Sequence, residues 1–292
     1  MDPDANPPSR SDRQTSEPFE GTISRQDVVD RINAHPLGDE PDEQRERFAR
    51  LVLGDRAESV DDAEVTFDGD GGTIVYFHGG GCAFGSPRTH ERIGRALARR
   101  TGRRVVLPRY PLAPEHCWPA QLQAAMDATV RVQGPLVLAG DSAGGHLALV
   151  TALELARVGE RVAGLVLFSP NTDRTGISTT RERNDPGDPM VDDAEDQALA
   201  RQCFEGLPMD HRQVSPLLDD LALLPPVHLE VGAGEVLLGD SLLLADRARA
   251  SGCDADLHVD PEGLHMGQLW EPWWPAASTS LDRAAVFVLG AA

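Results

Sequence analysis

The sequence contains no lysine; every one of its 27 Lys+Arg positions is an arginine. That excludes a Schiff-base or lysine general-base chemistry. Aromatic residues make up only 5% of the chain, so a core must rest on Leu, Val and Ala. Cysteine is scarce and scattered: Cys82, Cys117, Cys203 and Cys253 include no C-x-x-C pair. This is neither a disulfide framework nor a zinc site, and it suits a reducing cytoplasm, the location expected. Positive charge is short as well, with a formal net charge of −20. Neutralising phosphates needs a basic patch, so no nucleic-acid partner and no anionic membrane surface is expected. The acid surplus reads as surface solubility, with adaptation to high salt as the alternative. No run of about 18 apolar residues exists, so no membrane span is expected. The first residues, Met1-Asp2-Pro3-Asp4, carry neither a basic nor an apolar stretch of the kind a signal peptide needs.

What remains is a chain of 292 residues, 40% hydrophobic, enough for one large domain with a small lid. Residues 1–18 are rich in Pro, Asp and Ser and are expected to form a disordered tail. Residues 19–60 carry short helical patterns broken near Pro36 and Pro41, too small for a core of their own. A strand–helix alternation then begins. Apolar strand patterns occur at Thr73–Phe77, Arg104–Leu107, Leu136–Ala139, Val162–Phe168, Val227–Val231 and Ala255–Val259. Helical stretches separate them, which implies a mostly parallel central sheet flanked by helices. The alternation lapses for more than fifty residues after Phe168, with one amphipathic helix near Ala194–Phe204. A gap this long reads as an insertion. The expected division is a core of 61–170 and 224–292, with a cap made from 19–60 and the insertion 171–223.

Gly140-Asp141-Ser142-Ala143-Gly144 is a G-x-S-x-G sequence set between an apolar strand and a helix, as a nucleophile elbow requires. The turn must be tight, and its small flanking residues allow it. The helix start aims free N–H groups at any anion forming beside Ser142. A serine hydroxyl is a poor nucleophile at neutral pH and needs a base and an anion trap. His78-Gly79-Gly80-Gly81, at the end of the Thr73–Phe77 strand, supplies the trap. The competing reading, a phosphate-binding glycine loop, lacks a G-x-G-x-x-G or a P-loop lysine.

The order expected for such hydrolases is Ser, then acid, then His. His265 lies in the loop after the last strand and is the expected base; His258, within that strand, reads as structural. Two acids follow the penultimate strand, Glu235 and Asp240. Glu235 comes sooner after the strand and is the favoured partner. Asp240 sits at a helix start, where it can instead serve as a cap.

Taken together, the His78–Gly81 loop, the Tyr110–His116 block, the Ser142 elbow, Leu224-Pro225-Pro226 and the Glu235 and His265 segments resemble the hormone-sensitive-lipase-like, bacterial family IV esterases of the α/β-hydrolase superfamily. The resemblance runs from about residue 70 to the C-terminus. It implies an α/β-hydrolase fold with a cap from the N-terminal helices and an insertion after the sixth core strand. It gives Ser142 the nucleophile's role and His265 the base's. It makes Gly80, Gly81 and Ala143 the oxyanion donors, with Gly79 completing the motif. Glu115 and His116 belong to the family block, yet they are expected to hold the loop in place and do no chemistry. Two departures stand out. The family acid is usually Asp, and here the matching position is Glu235. The residue after the glycines is usually a bulky aromatic, and here it is Cys82. The resemblance also admits a homodimer.

The function expected is a serine carboxylesterase that hydrolyses small, short-chain esters through an acyl-enzyme, with a small-molecule ester as its partner and no metal or organic cofactor. An amidase or N-acetyl hydrolase using the same triad is the alternative. A non-catalytic ligand receptor on this fold is a remote one, since nucleophile, acid and histidine are all present.

Overall fold

A computed structural model describes residues 17–59, 63–132 and 134–291 of the chain. The expected tail, 1–18, lies outside the described residues except for Glu17 and Pro18. The described chain forms one seven-stranded sheet in the order β1-β3-β2-β4-β5-β6-β7. The strands are β1 (Val65–Phe67), β2 (Thr73–Phe77), β3 (Arg104–Leu107), β4 (Leu136–Asp141), β5 (Gly164–Phe168), β6 (Val227–Gly232) and β7 (Ala255–Asp260). Only β1 runs antiparallel, against β3; every other pairing is parallel. The edge strand β1 is absent from the sequence-based expectation, because three residues are too few to show a period.

Successive strand residues feed opposite faces of the sheet. Val75, Phe77, Leu138 and Leu167 enter one apolar cluster, with α4 (Ala120–Val130), α5 (Ser142–Arg157) and α8 (Leu238–Ala250) above them. Ile74, Tyr76, Val137 and Phe168 enter the other, under α3 (Glu91–Thr101) and α9 (Pro275–Gly290). Because both faces are covered, the central strands read as unbroken apolar runs, and that is why they were legible.

The N-terminal helices α1 (Arg25–Asn33) and α2 (Pro41–Leu53) have no core of their own. They dock on the second cluster through Val28, Ile32, Phe48 and Leu51, all buried. Phe48 meets Phe84 with ring centroids 5.0 Å apart. Arg45 of α2 fastens the pair to the core. Its guanidinium donates to the carbonyls of Ala83 (3.0 Å) and Ala113 (2.9 Å) and pairs with Glu115 at 2.6 Å. The hydrogen bond and charge from Arg45 hold the Glu115 carboxyl down at about 2. Glu115 therefore has the loop-holding place expected of it.

The insertion between β5 and β6 carries α6 (Thr180–Asn184) and α7 (Asp193–Cys203). Among the described strands it follows the fifth, which the expectation counted as the sixth of the family's sheet. A buried ionic cluster ties it down. Asp196 of α7 pairs with Arg174 and with Arg181, the latter at 2.9 Å. Arg181 also bonds Asp240 of α8 at 3.1 Å and Asn171 at 2.9 Å. Arg174, Arg181, Asp196 and Asp240 are all at most 9% exposed. Desolvation of such charges is costly, so opposite partners must all be present for the cluster to be stable. Burial would raise Asp196, but the two guanidinium charges outweigh it and hold the carboxyl well below its ordinary value.

Candidate active site

Strand β4 runs straight into α5, and Ser142 is the first residue of that helix. Its φ is +53°, in the left-handed region that a side chain enters only under constraint. The constraint is crowding. A Cβ on Gly144 would stand 2.1 Å from the Phe77 carbonyl oxygen and 2.4 Å from that of His78. The start of α5 is thus pressed onto the end of β2, and thirteen of the sixteen α5 residues are buried. Helix and strand meet where the Ser142 hydroxyl and the glycine loop share one sheet edge.

The loop after β2 divides its glycines between two jobs. Gly80 and Gly81 line the same cavity as Ser142 and His265. Among the described residues their amides meet no hydrogen-bond acceptor. Ala143 opens the first turn of α5, where the helix itself cannot satisfy an amide. Gly79 differs from what its motif suggests. Its amide faces His90 Nε2 at 3.3 Å, and a Cβ there would meet Asp141 Oδ2 at 2.2 Å. Gly79 is needed for close packing; its amide is used inside the protein. Gly80 has φ +114°, and a Cβ would stand 2.3 Å from the Phe84 carbonyl oxygen, so only glycine fits.

His78 is buried and does no proton chemistry in the neutral range. Burial, helped by repulsion from His90, pushes its pKa down to about 3. Its ring stacks on Tyr110 at 4.2 Å, and the Tyr110 hydroxyl donates to the His78 carbonyl at 2.7 Å. Asp141, the residue before Ser142 at the end of β4, is fully buried. Tyr76 donates to its Oδ1 at 2.7 Å, and His90 Nε2 lies 3.2 Å from its Oδ2. Burial would raise the Asp141 carboxyl, but His90 and Tyr76 outweigh it and hold it below its ordinary value. Sequence reading missed Tyr76 and His90, which lie 65 and 51 residues from Asp141 with no motif between them.

His265 follows β7 and is 2% exposed. Its Nδ1 lies 2.8 Å from Glu235 Oε2. The other Glu235 oxygen accepts from the Gly232 amide at 2.5 Å and from the Ser169 hydroxyl at 2.9 Å. The Glu235 side chain folds back from the turn onto the end of β6. Burial alone would lower the His265 pKa. The hydrogen bond and charge of Glu235, with the charges of Asp188 and Asp141, raise it above 6.5. Asp240 is engaged elsewhere. Its Oδ2 accepts the amides of Thr172 (2.8 Å) and Asp173 (2.9 Å), and both oxygens face Arg181. It caps no helix of its own; it closes the ionic cluster under the insertion.

Four non-glycine residues in the described chain have positive φ: Cys82, Ser142, Ser169 and Met266. Each adjoins a working part: the glycine loop, the elbow, the Glu235 partner and His265. Above them stand Leu37 from the loop between α1 and α2, Gln44 of α2, and Met190, Val191 and Leu199 from the insertion. The cavity they enclose is small, about 60 Å³.

A buried serine on a strand–helix turn, an imidazole held by a carboxylate and two unengaged amides in one cavity define the chain as a hydrolase of the α/β type. The α/β hydrolase fold family profile matches residues 74–269. The chain is 34% identical over 227 residues to an esterase of Acinetobacter venetianus, with 73% of each chain covered. It is 30% identical over 226 residues to an acetyl-hydrolase of Streptomyces hygroscopicus, covering 75% of this chain and 76% of that one. A crystal structure of an esterase from the bacterial hormone-sensitive lipase family superposes with a TM-score of 0.83 at 28% identity, covering 94% and 99% of the two chains. The chain belongs to that family of α/β hydrolases and is a carboxylic ester hydrolase. No helix among the described residues is long and apolar enough to cross a membrane.

Proposed function

We propose that the enzyme hydrolyses short-chain carboxylic esters through a Ser142–His265–Glu235 triad and an acyl-enzyme. The observation that carries this reading is the 2.8 Å contact of His265 with Glu235 beside a cavity that also holds Ser142. His265 removes the proton as the Ser142 oxygen attacks the ester carbonyl. The amides of Gly80, Gly81 and Ala143 hold the oxyanion, and losing one such donor costs on the order of 10²–10³ in rate. The alcohol leaves with the proton from His265. Water, activated by the same imidazole, then releases the acid and restores Ser142.

The small cavity supports a short acyl group. Sites for drug-sized ligands run to roughly 300 Å³ or more, far above this one. The relative named as an acetyl-hydrolase points the same way. A series of p-nitrophenyl esters from acetyl to palmitoyl tests it. Turnover should peak between acetyl and butyryl; a peak at palmitoyl would overturn the short-chain reading. A matched anilide should be turned over far more slowly than its ester.

The pH profile follows from the imidazole. His265 acts as a base only when neutral, and its pKa is raised above 6.5. Activity should therefore fall as pH drops through a midpoint above 6.5. A plateau extending unchanged to pH 5 would contradict the assignment of His265. Glu235→Gln removes the largest charge holding that pKa up and should move the midpoint of any residual activity downward.

A further inference from the structure

We infer that Asp188, with Asn184 four residues before it, is a positioning residue for the catalytic acid: the insertion grips the peptide that follows Glu235 and so aims the carboxylate at His265. The inference rests on the proposed triad and adds the residues that hold its acid in place.

Glu235 lies beyond the end of β6, outside the sheet ladder. The core fixes one of its carboxylate oxygens through Gly232 and Ser169. The main chain from which that side chain springs is held from the other direction. The Glu235 carbonyl accepts from Asn184 Nδ2 at 2.8 Å, and the Val236 amide donates to Asp188 Oδ2 at 2.9 Å. These are the two polar atoms of a single peptide group. Thr180 continues the grip. Its hydroxyl donates to the Val236 carbonyl at 2.9 Å and accepts from the Gly239 amide at 2.7 Å. Thr180 and Asn184 open and close α6, and Asp188 follows it in the same insertion.

Asp188 has a second attachment. Its other oxygen accepts the amides of Met190 (2.9 Å) and Val191 (3.2 Å), whose side chains line the Ser142 cavity. One carboxylate thus joins the acid's turn to the cavity wall. Three amide donors spread over two oxygens need an ionised carboxylate; an asparagine offers one acceptor and turns an NH₂ toward the rest. The charge matters as well. The charged groups acting on His265 are Glu235 after β6, Asp188 of the insertion and Asp141 at the end of β4. Those acting on Asp188 are His265 and Glu235. A negative charge near His265 favours the imidazolium that forms as Ser142 gives up its proton.

The test measures plateau kcat, the pH profile of kcat/KM on p-nitrophenyl acetate and the melting temperature in four variants beside the parent enzyme. Asp188→Asn should lower the plateau about 10- to 100-fold, the scale on which a misplaced reacting group costs rate. It should also move the midpoint down by on the order of one pH unit, as loss of a nearby negative charge does. Asp188→Glu keeps the charge, so the midpoint should stay and part of the plateau return. Asn184→Ala changes no charge and should lower the plateau with the midpoint unmoved. Asp193→Asn removes a different counter-charge of Arg181 in the same insertion. It should lower the melting temperature and leave plateau and midpoint alone. A folded Asp188→Asn protein with the parent's plateau and midpoint overturns the inference. So does an Asp193→Asn variant that reproduces the Asp188→Asn midpoint, since general loosening would then explain both. If Asp188→Asn fails to fold, a parent-like plateau in Asn184→Ala overturns it instead. Full turnover by Glu235→Gln would sink the triad itself, whatever Asp188 does, so the two failures are distinguishable.

Discussion

Ser142→Ala is expected to lower kcat on a p-nitrophenyl ester by on the order of 10⁶-fold, the scale found when a triad nucleophile is lost. Alanine keeps the Cβ, so it meets the same left-handed backbone constraint as serine at this turn. The elbow's shape is set by Gly144 against Phe77 and His78, and the substitution leaves those contacts alone. The variant should therefore fold with an unchanged melting temperature and bind substrate with a similar affinity. A fluorophosphonate probe should label the parent protein at Ser142 and fail to label the variant. Near-normal turnover by a folded Ser142→Ala protein would end the serine-hydrolase reading.

Glu235→Gln should cost about 10⁴-fold in kcat with KM little changed. The reason lies in the hydrogen bonds. One Glu235 oxygen already accepts from the Gly232 amide and the Ser169 hydroxyl. A glutamine must place its one carbonyl oxygen there and turn its NH₂ toward His265 Nδ1. Nδ1 must then accept, which puts the proton on Nε2 and leaves no base facing Ser142. The rival acid gives the contrast. Asp240→Asn should leave the chemistry of folded molecules intact but lower the melting temperature, because Arg181 loses part of its counter-charge. Breaking a buried ion pair costs about 3–5 kcal/mol. If Asp240→Asn removed turnover from a stable protein while Glu235→Gln did not, the acid would be Asp240.

The site was legible where chemistry fixes spacing along the chain. Ser142 announces itself because an elbow demands small residues between an apolar strand and a helix. His265 and Glu235 follow from the order in which such a sheet presents its loops. Two things were hidden because they depend on which loops meet. Asp240 reads as a helix cap in one dimension; only folding brings Thr172, Asp173 and Arg181 to its oxygens. Gly79 is indistinguishable from Gly80 in the motif, yet the amide of one faces His90 and the other lines the cavity. The insertion was legible as an interruption, but its anchor was not. Arg174, Arg181 and Asp196 carry no periodic signature, and a charged residue in a polar stretch reads as solvated surface.

The four left-handed residues around the site have a consequence for heat. Each costs about 1 kcal/mol or more relative to a relaxed backbone. Domains of ordinary size keep only about 5–15 kcal/mol in hand. Aim and endurance therefore draw on the same small reserve. Selection for thermal resistance in this chain will be drawn toward Cys82, Ser169 and Met266, where glycine would relax the turn, and each such gain loosens the loop that points a reacting group.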